Sequence, residues 1–393
     1  MEHFIPLSVP NLKGKELEYV SNAVKTEWVS TGGPYVNQFE EKIAEYLYVK
    51  GAVSCQNGTA GIHTALLVLK VNRGDEVIVP TLTFIAAVNP VNYIGAEPVF
   101  MDCDDSLCMD PRKLYKFCTE ECDFVEGHLL NKLTSKIIKA IIVVHVFGNM
   151  ANMEEITKIA KEFNLAIIED ATEAIGTYYT EGKFKGKYAG TIGDVGVFSF
   201  NGNKIITTGG GGMIVSNDEY ILDHSKHLTT QAKSDELFYT HDEVGYNYRM
   251  TNLQAALGLA QLEQLEKFIE IKLSNYDKYK HALTNVAGLI MIDFVKVARS
   301  NKWFYSLIID DKEYGIGRDD LIVKLNEKGI QSRPIWGLIH QQMPYKDKQS
   351  YKIEKASYYI EKVLNIPCST NLSEADVDYV ISIIKSLKKS GEI

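Results

Sequence analysis

Short apolar runs alternate with amphipathic stretches of helix length along most of this chain, and that rhythm limits the fold more than any other feature. Runs at 76–79, 98–101, 137–145, 166–169, 195–200 and 212–215 read as strands. Most are separated by segments such as 153–163 that carry a helical period. Helical patterns at 17–25 and 36–46 precede a short strand-like segment at 52–55, and 57–70 reads as a turn feeding a helix. Strands and helices in this order require βαβ crossovers, and so a mainly parallel sheet with helices on both faces. Sheets of that kind bind ligands beyond the carboxyl ends of their strands. At 393 residues the chain is long enough for one large and one small domain.

The strand ends are therefore the places to look for chemistry. Lys204 follows the apolar run 195–200 after a turn at Gly202. A partly desolvated amine there would favour its neutral, nucleophilic form and could attack a carbonyl or a pyridoxal aldehyde, although a lone loop lysine is more often simply solvated. Asp170 ends the run AIIED, where a buried carboxylate needs a cationic partner: a structural Lys or Arg, or a protonated pyridine nitrogen. Asn57-Gly58-Thr59-Ala60-Gly61 opens a helical run. Free amides at a helix start with the Thr59 hydroxyl would seat a phosphate, and plain capping by Asn57 or Thr59 explains the same letters. Phe84 follows the strand at 77–80 and would either stack on a planar heterocycle or fill the core. The glycine tract Gly209 to Gly212 leads into a strand-like MIV, which rules out a dinucleotide-binding turn. His145 ends a strand and reads as a satisfied structural histidine.

Charge and cysteine usage exclude other classes. A net charge of −9 leaves no broad basic face for nucleic acid or anionic membrane, so small molecules are the expected partners. The first residues, Met1-Glu2-His3-Phe4, show no basic stretch leading into an apolar segment, and the longest apolar runs are too short to span a bilayer, so a cytoplasmic protein is expected. The six cysteines form neither a disulfide framework nor a metal set and are expected to be free thiols. Leu253, Ala256, Leu257 and Ala260 have the spacing of one helical face opening a long interdomain helix. Further on, 303–309 reads as a strand, and Ser373 would cap a closing helix with Val377, Val380, Ile381 and Ile384 inward.

Taken in order, WVSTGGPYVNQFE (28–40), NGTAGIH (57–63), GDEVIVPTLTFIA (74–86), VHVFGN (144–149), IEDATEAIG (168–176), FSFNGNKIITTGGGG (198–212), GYNYRMTNLQAALG (245–258) and RPIWGLIH (333–340) resemble the DegT/DnrJ/EryC1/StrS family of pyridoxal-phosphate-dependent sugar aminotransferases. Within that family the chain looks most similar to the aminotransferases of legionaminic acid biosynthesis. The resemblance implies an α/β fold of the aspartate-aminotransferase type (fold type I): a large domain around a mainly parallel mixed sheet, 1–250, then a linking helix and a smaller C-terminal α/β domain, 251–393. It implies that Lys204 carries the cofactor, pyridoxal 5'-phosphate, and shuttles the proton. Asp170 matches the partner of the ring nitrogen, Glu173 the residue near the ring hydroxyl, and Phe84 the stacking aromatic. Gly58, Thr59, Ala60 and Ser199 match the phosphate cradle, and Asn247 an asparagine that reaches the cofactor of a neighbouring subunit. Arg333, His340 and Tyr345 match a substrate-facing loop. Much of the family has an acidic residue in its glycine tract, where this chain has Gly210 and Gly211.

The implied reaction moves an amino group, with L-glutamate as the expected donor, to C4 of a nucleotide-linked 4-keto-6-deoxy hexose, expected to bear a 2-acetamido group, within a homodimer that shares its sites. Two alternatives stand beside it. A sugar-dehydrating branch of the family carries histidine where Lys204 stands, which argues against that activity here. A catalytically silent cofactor-binding scaffold or regulator is the other.

Overall fold

A computed structural model describes residues 4–235 and 237–388. Its centre is a ten-stranded sheet built on seven strands, numbered here in chain order: β1 Gly51–Cys55, β2 Glu76–Pro80, β3 Glu97–Met101, β4 Ile137–Val144, β5 Ala166–Asp170, β6 Val195–Ser199 and β7 Gly212–Ser216. Their spatial order is β1-β7-β6-β5-β4-β2-β3, and β7 alone among these seven runs antiparallel to both of its neighbours. Val77, Ile78, Val79, Ile141, Ile142, Ile168 and Val197 are fully buried, as β-branched residues are in strands covered on both faces. An antiparallel hairpin, Cys122–Val125 with His128–Asn131, extends the sheet from β4, and Ser350–Tyr351 returns from the far end of the chain to pair in parallel with β3.

A second, four-stranded antiparallel sheet has the order Leu289–Met291, Tyr305–Ile309, Val363–Ile366, Arg333–Pro334. Helix Glu374–Ser386 closes it; Ser373 and Asp376 form a reciprocal capping box, and Val377, Val380, Ile381 and Ile384 are buried, as their spacing predicts. The two lobes do not follow the chain in simple succession. Ile5 pairs with Ile330, and the Cys368 amide donates to the Leu7 carbonyl at 2.9 Å, so the first described residues lie on the small lobe.

The long helix expected after Thr251 is two helices, Asn252–Leu262 and Leu265–Leu283. Thr251 and Gln254 box the first one. Its buried residues are Asn252, Ala255, Ala256, Gly258, Ala260 and Gln261, so Ala256 and Ala260 lie inward as their spacing predicts while the bulkier Leu253 and Leu257 are half-buried. The cause is close packing: a Cβ at Gly258 would lie 2.7 Å from the Phe39 ring. The six cysteines are free and buried. Among the described residues no helix is long and apolar enough to cross a membrane.

Candidate active site

The carboxyl ends of β2, β4, β5 and β6 open on the same edge of the sheet, and the candidate residues Phe84, Asp170 and Lys204 stand at or just beyond the ends of β2, β5 and β6. Asp170 is the last residue of β5, set between Val144 of β4 and Val197 of β6, and is 4 % exposed. Burial pushes its carboxyl above the usual carboxylate range, while the Thr172 amide, donating to Oδ1 at 3.1 Å, and the nearby Lys204 ammonium work against that rise. Glu173 stands one turn further on. Its Oε2 accepts the Phe147 amide at 2.8 Å and its Oε1 lies 3.5 Å from Lys204 Nζ. Burial lifts its carboxyl to about 7 despite the opposing lysine.

Lys204 closes a tight turn after β6, with its amide donating to the Asn201 carbonyl at 3.0 Å. Its side chain is 13 % exposed, and the ammonium rests 4.1 Å from the centre of the Trp303 ring. The amine thus faces a carboxylate and an aromatic face, the partly desolvated setting expected of it. Trp303 is a functional neighbour that reading the sequence took only as the start of a strand. Its indole donates to the Asn203 carbonyl at 2.8 Å, and it stacks on Phe304 with centroids 4.0 Å apart. Phe147 packs on Trp336 at 4.7 Å and near Trp303 at 6.1 Å.

Phe147 has φ 55°, ψ 22°, a left-handed conformation rare for a bulky residue, and this geometry aims its amide at Glu173. Asn301 fixes the same loop from the other lobe: its Nδ2 donates to the carbonyls of Glu173 and Ile175 at 2.9 Å each. Buried Lys272 donates to the carbonyls of Trp303 and Cys368 at 2.9 and 2.6 Å, so two acceptors compensate an ammonium that burial drives toward its neutral form.

Helix Gly58–Val68 starts at the end of β1 and points its amino end at this edge. Asn57 caps it, taking the Ala60 amide at 2.8 Å, and its carbonyl takes the Gly61 amide. The amides of Gly58 and Thr59 are the first-turn donors that a helix cannot satisfy internally. A Cβ at Gly58 would lie 2.8 Å from Thr172 Cγ2 and 3.2 Å from the Ser199 Cβ. Gly58, Thr172 and Ser199 therefore converge at the start of this helix, whose free first-turn amides suit a phosphate. Phe84 follows β2 and is 56 % exposed, so it is not a core residue and is open to stacking.

The remaining expected residues are spread more widely. His145 is fully buried; its Nε2 pairs with Glu169 Oε2 at 2.8 Å and its Nδ1 accepts the Ala151 amide at 3.2 Å, so it is structural. His340 is half-buried, 2.6 Å from the Thr81 hydroxyl, which seats its loop on the segment leading to Phe84. Arg333 is exposed on the edge of the small sheet. Tyr345 turns inward: it is 1 % exposed, donates to Asn89 Oδ1 at 2.6 Å and packs edge-on against Phe100, leaving no hydroxyl for a ligand in this conformation. Asn247 is exposed, and its Oδ1 accepts from Arg249 at 3.2 Å.

A half-buried lysine against a carboxylate, an acid at a strand end, an exposed aromatic and an anion cradle on this mixed sheet define a fold type I pyridoxal-phosphate enzyme. The family model of DegT/DnrJ/EryC1/StrS aminotransferases matches residues 10–385, and the chain belongs to that family. It is similar to GDP-perosamine synthase of Escherichia coli O157:H7, 40 % identical with 97 % of this chain and 98 % of that one covered. It is also 36 % identical to a Bacillus subtilis chain, EpsN, described as a pyridoxal phosphate-dependent aminotransferase, covering 100 % and 98 % of the two chains. A crystal structure of a DegT DnrJ EryC1 StrS aminotransferase from Brucella abortus superposes with a TM-score of 0.86 at 30 % identity, covering 96 % of each. The chain is a pyridoxal-phosphate-dependent sugar aminotransferase.

Proposed function

We propose that this enzyme aminates C4 of a nucleotide-linked 4-keto-6-deoxy hexose, drawing the amino group from L-glutamate. One observation carries the reading: Lys204 Nζ stands 3.5 Å from Glu173 at the strand edge that also holds Asp170. The cofactor, when bound, supplies an electron sink. Gly58, Thr59 and Ser199 would hold its phosphate, with Ala60 behind them at the helix start, and Phe84 would cover one face of its ring. Asp170 would hold the proton on the ring nitrogen, and Glu173 would meet the ring hydroxyl.

Lys204 Nζ then takes the proton from the donor's α-carbon and, in the second half-reaction, delivers one to C4 of the sugar. Trp303 keeps water from one side of that amine. Holding base, carboxylates and substrate in one cleft makes these transfers effectively intramolecular. The name GDP-perosamine synthase, borne by a relative that covers nearly all of the chain, supports a nucleotide-linked sugar as acceptor. Arg333 would meet the diphosphate and His340 the sugar from the small lobe. A place in legionaminic acid assembly, with a 2-acetamido acceptor, is the finer form of the proposal. Asn247, exposed on its loop, would reach the cofactor of a second copy, giving a homodimer with shared sites. Six buried free thiols suit the reducing cytoplasm.

Incubation with glutamate and a panel of UDP- and GDP-linked 4-keto sugars, with products identified by mass and NMR, tests this. A 4-amino sugar from at least one member is expected. No amination across the panel, by a protein that binds its cofactor, would overturn the choice of acceptor.

A further inference from the structure

Helix Glu219–Thr229 carries His224 and His227 three positions apart, on one face. Opposite them, Asp242 and Glu243 stand on the segment that leads to Gly245 and Asn247. His227 Nε2 lies 2.7 Å from Asp242 Oδ1 and 3.6 Å from Glu243 Oε1, and His224 Nε2 lies 2.8 Å from the same Glu243 oxygen. The donor atoms of His227, Asp242 and Glu243 all fall within 4.8 Å of one another.

We propose that these four side chains form a binding site for a divalent transition-metal ion, zinc in the first instance. Two imidazoles with two carboxylates give four nitrogen and oxygen donors and a charge of about −2, which a divalent ion neutralises. Imidazole donors select zinc, cobalt, nickel or copper over magnesium and calcium. With metal bonds of about 2.0–2.1 Å, tetrahedral donors stand about 3.4 Å apart. The two closest pairs would therefore open by about 0.6–0.7 Å around the ion, and His224, which lies outside the 4.8 Å group, would swing in to complete it. The carboxylates are free to do so by rotation, since Asp242 and Glu243 side chains are 57 % and 42 % exposed. His224 Nδ1 has no hydrogen-bond partner among the described residues, so nothing on that side fixes its proton on Nε2.

The ion would act as a staple. The chain leaves the helix after Thr229 and returns at 242–248, where the Tyr246 amide donates to the Leu228 carbonyl at 2.7 Å and Thr230 pairs with Asn247. A metal across His224, His227, Asp242 and Glu243 clamps the base of that excursion to its parent helix and steadies the loop that bears Asn247.

The test uses the full-length holoenzyme, treated with chelator, desalted, and titrated with zinc or magnesium. Metal retained after gel filtration is counted by plasma mass spectrometry and the melting temperature is read in parallel. One zinc per chain is expected, not displaced by excess magnesium, with a rise in melting temperature. His227→Ala and Asp242→Asn should each weaken zinc binding on the order of 100-fold and abolish that rise. Should His227→Ala fail to fold, Asp242→Asn carries the comparison. No retained zinc in the folded wild type, or equal zinc in wild type and variants, would overturn the site and leave two ordinary histidine–carboxylate hydrogen bonds.

Discussion

Glu173 shows how the fold sets chemistry one residue at a time. Its folded-state pKa of about 7 lies above the ordinary 4.5, because burial disfavours the carboxylate. Between those values the folded chain binds a proton that the unfolded chain has lost, so stability falls as pH rises through that window. Asp170, also raised by burial, adds in the same sense. Melting temperature against pH for the cofactor-free protein should decline from about 4.5 to about 7, and Glu173→Gln should flatten that decline. An unchanged profile in the variant would contradict the assignment. Lys204→Ala should lower turnover at least about 10²-fold, the smaller loss expected for a positioned general base, and further because covalent attachment is lost as well. Lys204 and Asp170 were legible in the sequence because both sit where an apolar run stops. Trp303 and Phe147 were not: the first reaches the lysine through a contact 99 positions away in the chain, and nothing in the letter Phe announces a left-handed backbone.

Single elements were readable in proportion to their burial. The strands at the centre of the sheet are short, largely apolar and mostly buried, and their expected ends moved by only a residue or two. The hairpin Cys122–Val125 with His128–Asn131 escaped because Asp123, Phe124, Val125 and His128 are exposed and show no core-facing pattern. Asp102 marks a junction that sequence could not reveal. Fully buried just beyond β3, it accepts from Lys113 at 2.6 Å and from the amides of Glu354, Lys355 and Ala356 at 2.8 to 2.9 Å, so it caps helix Lys355–Lys362 from across the molecule. Burial works against its ionisation, but Lys113 and the amides outweigh it and hold the carboxyl below its usual range. Asp102→Ala should cost about 3 kcal/mol or more, read from denaturant unfolding, because it leaves three amides without their acceptor and removes one of the two carboxylates paired with Lys113. Ser373→Ala, which removes the cap of the closing helix, should cost about 1 kcal/mol. Turnover in that variant should stay at the wild-type level, since the cap is remote from Lys204.

At the scale of the whole molecule, the alternating pattern specified the large sheet, while the exchange of segments between lobes depends on contacts too distant in sequence to read. Ser350–Tyr351 on the edge of β3 and Ile5 beside Ile330 are of that kind. The proposed sharing of sites between two copies leads to a further expectation. Asn247→Ala should leave a dimer by sedimentation yet release cofactor faster on dialysis; a monomeric protein with full cofactor affinity would contradict it. The proposed chemistry depends above all on Lys204 carrying the cofactor. Reduction of the holoenzyme with borohydride, followed by peptide mass mapping, tests it most directly. A pyridoxyl phosphate mass on the peptide containing Lys204 is predicted; the label on another lysine, or none on a cofactor-loaded protein, would contradict it.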